Sequence, residues 1–183
     1  DEGVRPDSSI EKLARLKPAF EKVVGTVTAG NSSQVTDGAV ALLAGSEATG
    51  RKLGLTSLGV VEQSAYAALD PARMGLGPVY AIDRLFQGAA VPWDSFDLVE
   101  INEAFAAQVL ACLRAAADAA FARRAFGRDA ALGVIPEDRL NVNGGAIALG
   151  HPVGASGARL VLTALHELRR RRGRRALVSL CVG

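Results

Sequence analysis

The sequence predicts an α/β protein in which strands and helices alternate in layers. Residues 98–101 and 176–182 are short apolar runs typical of buried strands, and segments with helical spacing of apolar residues lie between them. Short links join these segments, and such alternation is typical of a layered α/β architecture. In sheets of this kind ligands bind at the carboxyl ends of the strands, so functional side chains are expected there.

The composition of the 183 residues is that of an ordinary globular domain, with 49% hydrophobic and 22% charged residues. The formal net charge of +2 creates no overall field that would favour binding to nucleic acid. Cys112 and Cys181 are too few and too far apart for a disulfide framework, which favours a reducing compartment, the cytoplasm. No apolar run approaches the ~18 residues that a membrane-spanning helix needs.

We interpret both ends of the sequence as cuts within a longer protein. The chain begins in polar sequence and stops at Gly183, directly after a strand-like run. A domain rarely ends on a strand with nothing to cover it, so the chain is expected to expose apolar surface.

The secondary structure is predicted from apolar spacing and from the positions of glycine and proline. Residues 36–38 are a plausible helix start, and residues 39–46 are apolar throughout and fit either a buried helix or a strand. The other predicted helices cover residues 10–16, 47–54, 79–87, 104–124 and 155–171, the predicted strands 58–69, 98–101, 140–142 and 176–182, and the main loop 71–78.

A glycine-rich stretch, Asn141–Gly157, is the most unusual part of the sequence. It contains five glycines, one proline and one of the two histidines, His151. Glycines fit where the backbone must adopt a positive φ or approach another group closely. A helix N-terminus with free N–H groups follows. The spacing alone fits a functional site and equally a tight strand–helix connection with an incidental histidine.

Three side chains with useful chemistry follow predicted strands or their turns. His151 titrates near neutral pH, the thiol of Cys181 can act as a general acid, and Asn102 can hold a water or donate to an oxyanion. The backbone N–H of Gly183 is a further donor for a developing negative oxygen. Together these groups favour carbonyl or enolate chemistry. Cys181 also fits a small buried hydrophobe, and Asn102 also fits a helix N-cap.

Rival motifs fail. The glycines lack the Lys-Ser/Thr of a P-loop and the spacing of a dinucleotide-binding fingerprint, and two histidines with two scattered cysteines do not make a zinc site. The arginines at 169–175 fit a solvated helix C-terminus that complements the dipole, with an anion-binding patch as the alternative.

Five segments of the chain resemble the motifs of the thiolase family, in the family's order. They are Gly25–Gly38, Met74–Pro78, Asn102-Glu103-Ala104-Phe105-Ala106, Asn143–Gly157 and Cys181-Val182-Gly183. The resemblance implies a thiolase-like layered α/β/α fold, with residues 1–35 in a loop region, 36–56 at the end of the N-terminal half and 57–183 in a truncated C-terminal half. It also implies cleavage of 3-ketoacyl-CoA by CoA, or the reverse Claisen condensation.

The resemblance also implies a role for each matched residue. His151 would activate a nucleophilic cysteine and line an oxyanion hole for the thioester carbonyl. Asn102 would hold the water that completes this hole. Cys181 would be the general acid/base, and the Gly183 N–H would serve a second oxyanion hole. The residues expected to contact substrate are Ala29 and Ser33 at the pantetheine arm, Phe20 near CoA, and Met74 and Phe105 in the acyl pocket.

The nucleophilic cysteine of the family has no counterpart here, because Cys112 lies mid-helix without a motif around it. This chain alone is therefore expected to be inactive. The expected partners are acyl-CoA and CoA, used as substrates with no further cofactor and no metal, and a homo-oligomer, dimer or tetramer, when full length. The long segment 114–139 looks more like bacterial fatty-acid-oxidation thiolases. The alternative is a non-catalytic, thiolase-like module for acyl-CoA binding or assembly.

Overall fold

The computed structural model describes residues 3–87 and 89–182. Its helices are α1 (Ile10–Leu13), α2 (Glu47–Lys52), α3 (Gly77–Phe86), α4 (Ala106–Ala117), α5 (Ala119–Phe126), α6 (Ala146–Leu149) and α7 (Val153–Arg171). Its strands are β1 (Leu98–Ile101) and β2 (Ala176–Ser179), and 3₁₀ turns cover Pro71–Leu76, Trp93–Ser95 and Glu137–Arg139.

The two strands pair in parallel and form the centre of the fold. Leu98 lies opposite Ala176 and Ile101 opposite Ser179, and all four residues of β1 are buried. The Asp97 carboxylate sets this register, since it accepts hydrogen bonds from the backbone N–H groups of Arg174 and Arg175 at 2.7 and 3.0 Å. Both strands therefore end at the same edge of the sheet, where Asn102 and Cys181 follow.

The core lies between β1 and the helices α3 and α4. Trp93 is buried there and its indole Nε1 donates to the carbonyl oxygen of Leu132 at 2.9 Å, which satisfies the polar atom of a large apolar side chain. The buried residues of this core include Val79, Ile82, Phe96, Val99, Ile101, Val109, Cys112, Ala116, Ile135 and Leu177. Since these residues come from several elements, the core fixes the sheet edge that carries the candidate residues.

Three of the six arginines at residues 169–175 form ion pairs, and two of these three lie in the last turn of α7. Arg170 Nη2 lies 2.6 Å from the carboxylate of Glu167, which Arg171 also contacts, and Arg175 lies 3.2 Å from Glu62. The hydrogen bond from Arg170 is the first cause that holds the pKa of Glu167 well below its usual range. These contacts favour the dipole-matched helix terminus over an open anion-binding patch.

Several predicted elements are wrong. No helix begins at residues 36–38, and the predicted strand over 58–69 is extended chain without regular structure, because none of the described residues pairs with it. The predicted strand over 140–142 is a single parallel bridge between Leu140 and Val99. The predicted helix over 104–124 is two helices, because Asp118 leaves helical geometry and its side chain caps α5 by accepting from the N–H of Ala120 at 2.7 Å.

Candidate active site

Asn102 sits at the end of β1 as predicted. Its backbone N–H donates to the carbonyl oxygen of Ser179 at 3.0 Å, which extends the sheet by one bond, and the residue is only 1% exposed. The alternative role as a helix N-cap is wrong, because α4 begins at Ala106 with Phe105 in the capping position. The side chain of Asn102 is therefore free to face the glycine-rich stretch.

His151 lies between α6 and α7, in a turn that is held by the conformation of Gly150 and by two hydrogen bonds. Gly150 has φ +90°, a conformation suited to glycine, and a Cβ there would overlap the side chain of Thr36. Arg159 Nη1 donates to the Gly150 carbonyl at 2.9 Å, and the N–H of His151 donates to the carbonyl of Gln34 at 2.8 Å. The glycine-rich stretch thus forms a tight turn, and this turn holds a histidine with polar partners.

The contacts of the His151 ring define its tautomer. Its Nδ1 lies 2.6 Å from Ser156 Oγ, and Ser156 donates its own hydroxyl proton to the carbonyl of Pro152 at 3.1 Å. The hydroxyl oxygen therefore accepts from Nδ1–H, which leaves a lone pair on Nε2. This Nε2 lies 3.3 Å from Asn102 Nδ2, which donates to it.

The pKa of His151 is lowered, first by burial and then by the nearby positive charge of Arg159. Both causes disfavour the imidazolium, so the ring is neutral at pH 7 and its Nε2 is available as a proton acceptor. A neutral histidine with an oriented lone pair is suited to general-base chemistry.

The predicted substrate loop is joined to the Asn102 segment by backbone hydrogen bonds. The N–H of Ser33 donates to the carbonyl of Ala104, and the N–H of Ala106 donates to that of Asn31, each at 2.9 Å. Ser32 and Phe105 form an antiparallel bridge. Ser33 and Phe105 therefore lie together beside Asn102.

The other residues predicted to contact the substrate differ in their exposure to solvent. Phe20 is 75% exposed and Ala29 is exposed as well, so both lie at the surface before the loop that contains Ser33. Met74 is half-buried, and its carbonyl accepts a hydrogen bond from the N–H of Gly77. Gly183 lies outside the described residues.

Cys181 follows β2 and is buried, with 8% exposure. A Cβ placed on Gly77 would lie 3.8 Å from both Cα and Cβ of Cys181, so the loop that contains Met74 approaches this cysteine. Burial raises the pKa of the Cys181 thiol, which stays protonated at neutral pH. A protonated, buried thiol can donate a proton to a carbanion or thiolate formed beside it.

Cys112 has a different environment from Cys181. It is fully buried in α4, its thiol donates to the carbonyl of Gly75 at 3.2 Å, and burial raises its pKa to about 11. A thiol with this pKa is a poor nucleophile at neutral pH. The structure therefore agrees with the interpretation that Cys112 does not replace a nucleophilic cysteine.

Sequence reasoning missed three residues that support the site, namely Gln34, Glu103 and Ser156. Ser156 carries a weak signal, because a hydroxyl in the first turn of a helix and five residues after a histidine can return to contact it. Glu103 is adjacent to Asn102 in the sequence. Gln34 acts only through its backbone carbonyl, so no side-chain pattern predicts it.

Within residues 3–87 and 89–182, no group of three or more His, Cys, Asp or Glu side chains could hold a metal ion. In the same part of the chain, no helix combines the length and the apolar character needed to cross a membrane.

Comparison with known proteins identifies the family. The model of the C-terminal domain of thiolase matches residues 55–183, and the model of its N-terminal domain matches residues 1–48. A 3-ketoacyl-CoA thiolase of Pectobacterium atrosepticum is 47% identical over 182 residues, and the match covers 99% of this chain and 42% of that protein. The peroxisomal 3-ketoacyl-CoA thiolase B of Rattus norvegicus is 49% identical over 185 residues, and the match covers 100% of this chain and 39% of that protein.

A solved structure gives the same result. The crystal structure of human mitochondrial 3-ketoacyl-CoA thiolase in complex with CoA superposes with a TM-score of 0.79 at 40% identity, covering 100% of this chain and 42% of that one. The comparisons confirm the predicted family and the partial thiolase-like α/β fold. The chain spans about 40% of the length of the relatives it matches.

Proposed function

This chain belongs to the thiolase family, and on that premise we propose that it supplies the acid–base half of a thiolase active site. The reaction is transfer of an acyl group between a cysteine thiol and CoA, with thiolytic cleavage of a 3-ketoacyl-CoA or the reverse condensation as its overall result. The single observation that carries the proposal is the hydrogen-bonded series Ser156, His151, Asn102, because it leaves the Nε2 of a neutral histidine as a base. A module that only binds acyl-CoA needs no such base.

In the proposed first step, His151 Nε2 takes the proton of a cysteine thiol that lies outside these 183 residues. The thiolate attacks the 3-keto carbonyl carbon, and the carbonyl oxygen becomes an oxyanion. The protonated Nε2–H of His151 then donates to the thioester carbonyl oxygen of the substrate, on which the negative charge of the enolate develops. Asn102 holds a water beside it, and this assignment is supported by its buried Oδ1, which has no partner among the described residues.

In the second step the bond between the α- and β-carbons breaks, and its electron pair forms the enolate of acetyl-CoA. The thiol of Cys181 donates its proton to the α-carbon of that enolate. The Cys181 thiolate then takes the proton of the incoming CoA thiol, whose sulfur attacks the acyl-enzyme. Acyl-CoA is released, and the departing cysteine thiolate takes back its proton from His151. The raised pKa of Cys181 suits the first transfer, since a protonated thiol is needed there.

The substrate contacts follow the same proposal. Ser33 and Ala29 contact the pantetheine arm, Phe20 lies near CoA, and Met74 and Phe105 line the acyl pocket, while the Gly183 N–H serves a second oxyanion hole. The bridge between the loop of Ser33 and Phe105 supports a shared substrate surface. CoA thioesters are the substrates, with no further cofactor. The human relative is described in complex with CoA, which supports this choice of ligand.

The cellular setting is proposed in the same way. The complete protein acts in fatty-acid oxidation as a homo-oligomer in the cytoplasm. The names of several relatives as 3-ketoacyl-CoA thiolases support the oxidative role, although the rat relative is named as peroxisomal. Gel filtration with light scattering and fractionation of the source cells test these two points.

The test of the function is thiolysis of acetoacetyl-CoA and of a longer 3-ketoacyl-CoA by the product of the complete reading frame, beside His151→Ala and Cys181→Ala. We expect activity in the parent and a loss of roughly 10²-fold or more in each variant, as removal of a general acid or base requires. Ser95→Ala, at an exposed hydroxyl bonded to Pro92, is the matched control and should keep full activity. Acyl-CoA binding without turnover in the parent would overturn the enzyme proposal in favour of a binding module.

A further inference from the structure

Glu103 follows Asn102 directly, and its carboxylate links the Asn102 segment to the glycine-rich stretch. Oε1 accepts a hydrogen bond from Asn141 Nδ2 at 3.0 Å, and Oε2 accepts one from the backbone N–H of Ile147 at 3.3 Å. Asn141 and Ile147 lie before and after the first turn of the glycine-rich stretch. The carboxylate therefore joins two segments that are about 40 residues apart in the sequence.

Asn141 completes this link with three further hydrogen bonds to β1. Its Oδ1 accepts from the N–H of Ile101 at 2.8 Å, its Nδ2 donates to the carbonyl of Ile101 at 2.9 Å, and its own N–H donates to the carbonyl of Val99 at 2.9 Å. Asn141 holds a left-handed backbone conformation with φ +45°, which asparagine tolerates better than most residues. These bonds hold that conformation against β1.

Gly145 leaves the space that the Glu103 carboxyl group occupies. A Cβ on Gly145 would overlap the Cδ and both carboxylate oxygens of Glu103. The backbone of Gly145 is extended, with φ −126°, so glycine is needed here for space and not for conformation. An alanine at this position would displace the end of a flexible side chain without straining the backbone.

We propose that Glu103 and Asn141 are positioning residues that hold Asn102 and His151 at hydrogen-bonding distance. This inference deepens the proposed function and rests on it. The Asn102 segment and the His151 turn come from different parts of the chain, and their side chains meet through one contact of 3.3 Å. The Glu103 carboxylate and the Asn141 carboxamide connect the backbones of the same two segments. Loss of this link allows the oxyanion-binding groups to separate, and misplacement by about 1 Å can lower a rate 10²-fold.

The first test is kinetic and uses the product of the complete reading frame. Glu103→Ala and Gly145→Ala should each lower kcat about 10- to 100-fold with little change in KM, because the oxyanion is bound mainly in the transition state. Glu103→Gln should recover part of the loss, since its amide oxygen can still accept one of the two bonds. Glu137→Ala, which removes an exposed carboxylate from a 3₁₀ turn, is the control and should keep full activity.

Two double variants separate positioning from general damage to the fold. If Glu103 acts through Asn102, Glu103→Ala should change kcat less than about threefold in an Asn102→Ala background. If Gly145→Ala acts by displacing the Glu103 carboxylate, the double variant Glu103→Ala/Gly145→Ala should have nearly the same kcat as Glu103→Ala alone. Full additivity in both pairs would overturn the proposal, because the effects would then be independent.

A second measurement does not depend on turnover. In the complete protein, with the ring resonances of His151 assigned by their loss in His151→Ala, these resonances should shift in Glu103→Ala and in Gly145→Ala and should stay in place in Glu137→Ala. An inactive parent protein with these shifts would refute the proposed function and leave the positioning role standing. An active parent with unchanged His151 resonances and unchanged kcat in Glu103→Ala would refute the positioning role alone.

Discussion

Two regions of this chain have similar apolar content and very different burial. The site-bearing region, residues 77–182, contains Leu98 and Ile101 at 0% exposure. The extended region, residues 33–46 and 55–70, has no regular structure and contains Leu43 at 85% and Val60 at 83% exposure. The same residue types are therefore core in one region and surface in the other.

The difference shows that an apolar run becomes a buried strand only where a partner is present. Leu98–Ile101 has β2 beside it and α4 and α7 nearby. The extended region instead contacts the rest of the described chain through single residues, such as the Gln34 carbonyl that accepts from His151 and Gly59 beside the side chain of Leu165. Glu62 lies 3.2 Å from Arg175, and Arg84 donates to the carbonyl of Tyr66 at 2.9 Å. Many apolar side chains of the extended region are exposed, which agrees with the expectation that this chain exposes apolar surface.

The largest expected effect is on stability and contrasts the two regions directly. Ile101→Ala should lower the free energy of unfolding by about 3 kcal/mol, because it leaves a cavity in the core. Leu43→Ala should change it by less than about 0.5 kcal/mol, since an exposed side chain loses no packing. Urea unfolding of the chain, followed by the fluorescence of Trp93, measures both. Equal losses would mean that the extended region is packed in solution.

The second effect concerns the site itself and is kinetic. Ser156→Ala removes the hydroxyl that accepts from His151 Nδ1 at 2.6 Å, so the ring can adopt the wrong tautomer. In the complete protein, kcat for thiolysis should fall by roughly 10-fold or more with KM nearly unchanged. An equal loss in kcat for the Ser95→Ala control would show that the effect is not specific to the histidine.

The third effect concerns Glu100, a carboxyl buried within β1. Burial, followed by the charges of Glu103 and Glu167, raises its pKa to about 7 from the usual 4.5. The folded protein therefore binds this proton more tightly than the unfolded chain does. The contribution of Glu100 to the free energy of unfolding is fully present below pH 4.5 and is lost as the pH rises from 4.5 to 7.

Glu100→Gln should remove that loss. We expect a gain in the free energy of unfolding on the order of 2 kcal/mol at pH 8 and little gain at pH 4. Urea unfolding at the two pH values gives the comparison, with the exposed Glu137→Gln as the control. A gain that does not depend on pH would refute the titration of Glu100 as its cause.

The smallest effect is a shift in the titration of His151. Its pKa is lowered first by burial and then by Arg159, so Arg159→Met should raise it while leaving the larger cause in place. The acid limb of kcat/KM, which requires neutral His151, should move to higher pH in the same direction. NMR titration measures the pKa, with the His151 resonance assigned by its loss in His151→Ala and the exposed Arg169→Met as control. A pKa that falls or stays constant would contradict the role of Arg159.

The elements predicted best were those whose local pattern and tertiary environment agree. Residues 98–101 and 176–179 form strands, and α3 and α7 lie close to the predicted helices. The prediction failed at residues 58–69, whose β-branched pattern has no neighbouring strand among the described residues. It also missed the break at Asp118, where a local cap competes with continuation of the helix.

For the site, the positions of Asn102, His151 and Cys181 after strands or tight turns were enough to single them out. Their catalytic roles and those of the substrate-contact residues stay predictions. The supporting contacts of Ser156 and Glu103 were not predicted, because they depend on distances between segments that are distant in the sequence. The domain boundaries at residues 35 and 56 also stay a prediction.

The sequence by itself determined the family, the α/β class and the chemical types of the candidate residues, because these depend on residue identity and short-range spacing. The tertiary structure decided which apolar runs are buried, which tautomer His151 adopts and how Asn102 is held beside it. These properties arise from packing and hydrogen bonds between distant segments. The local sequence pattern carries little information about such contacts, because the same residue types form a buried strand beside a partner strand and exposed chain without one.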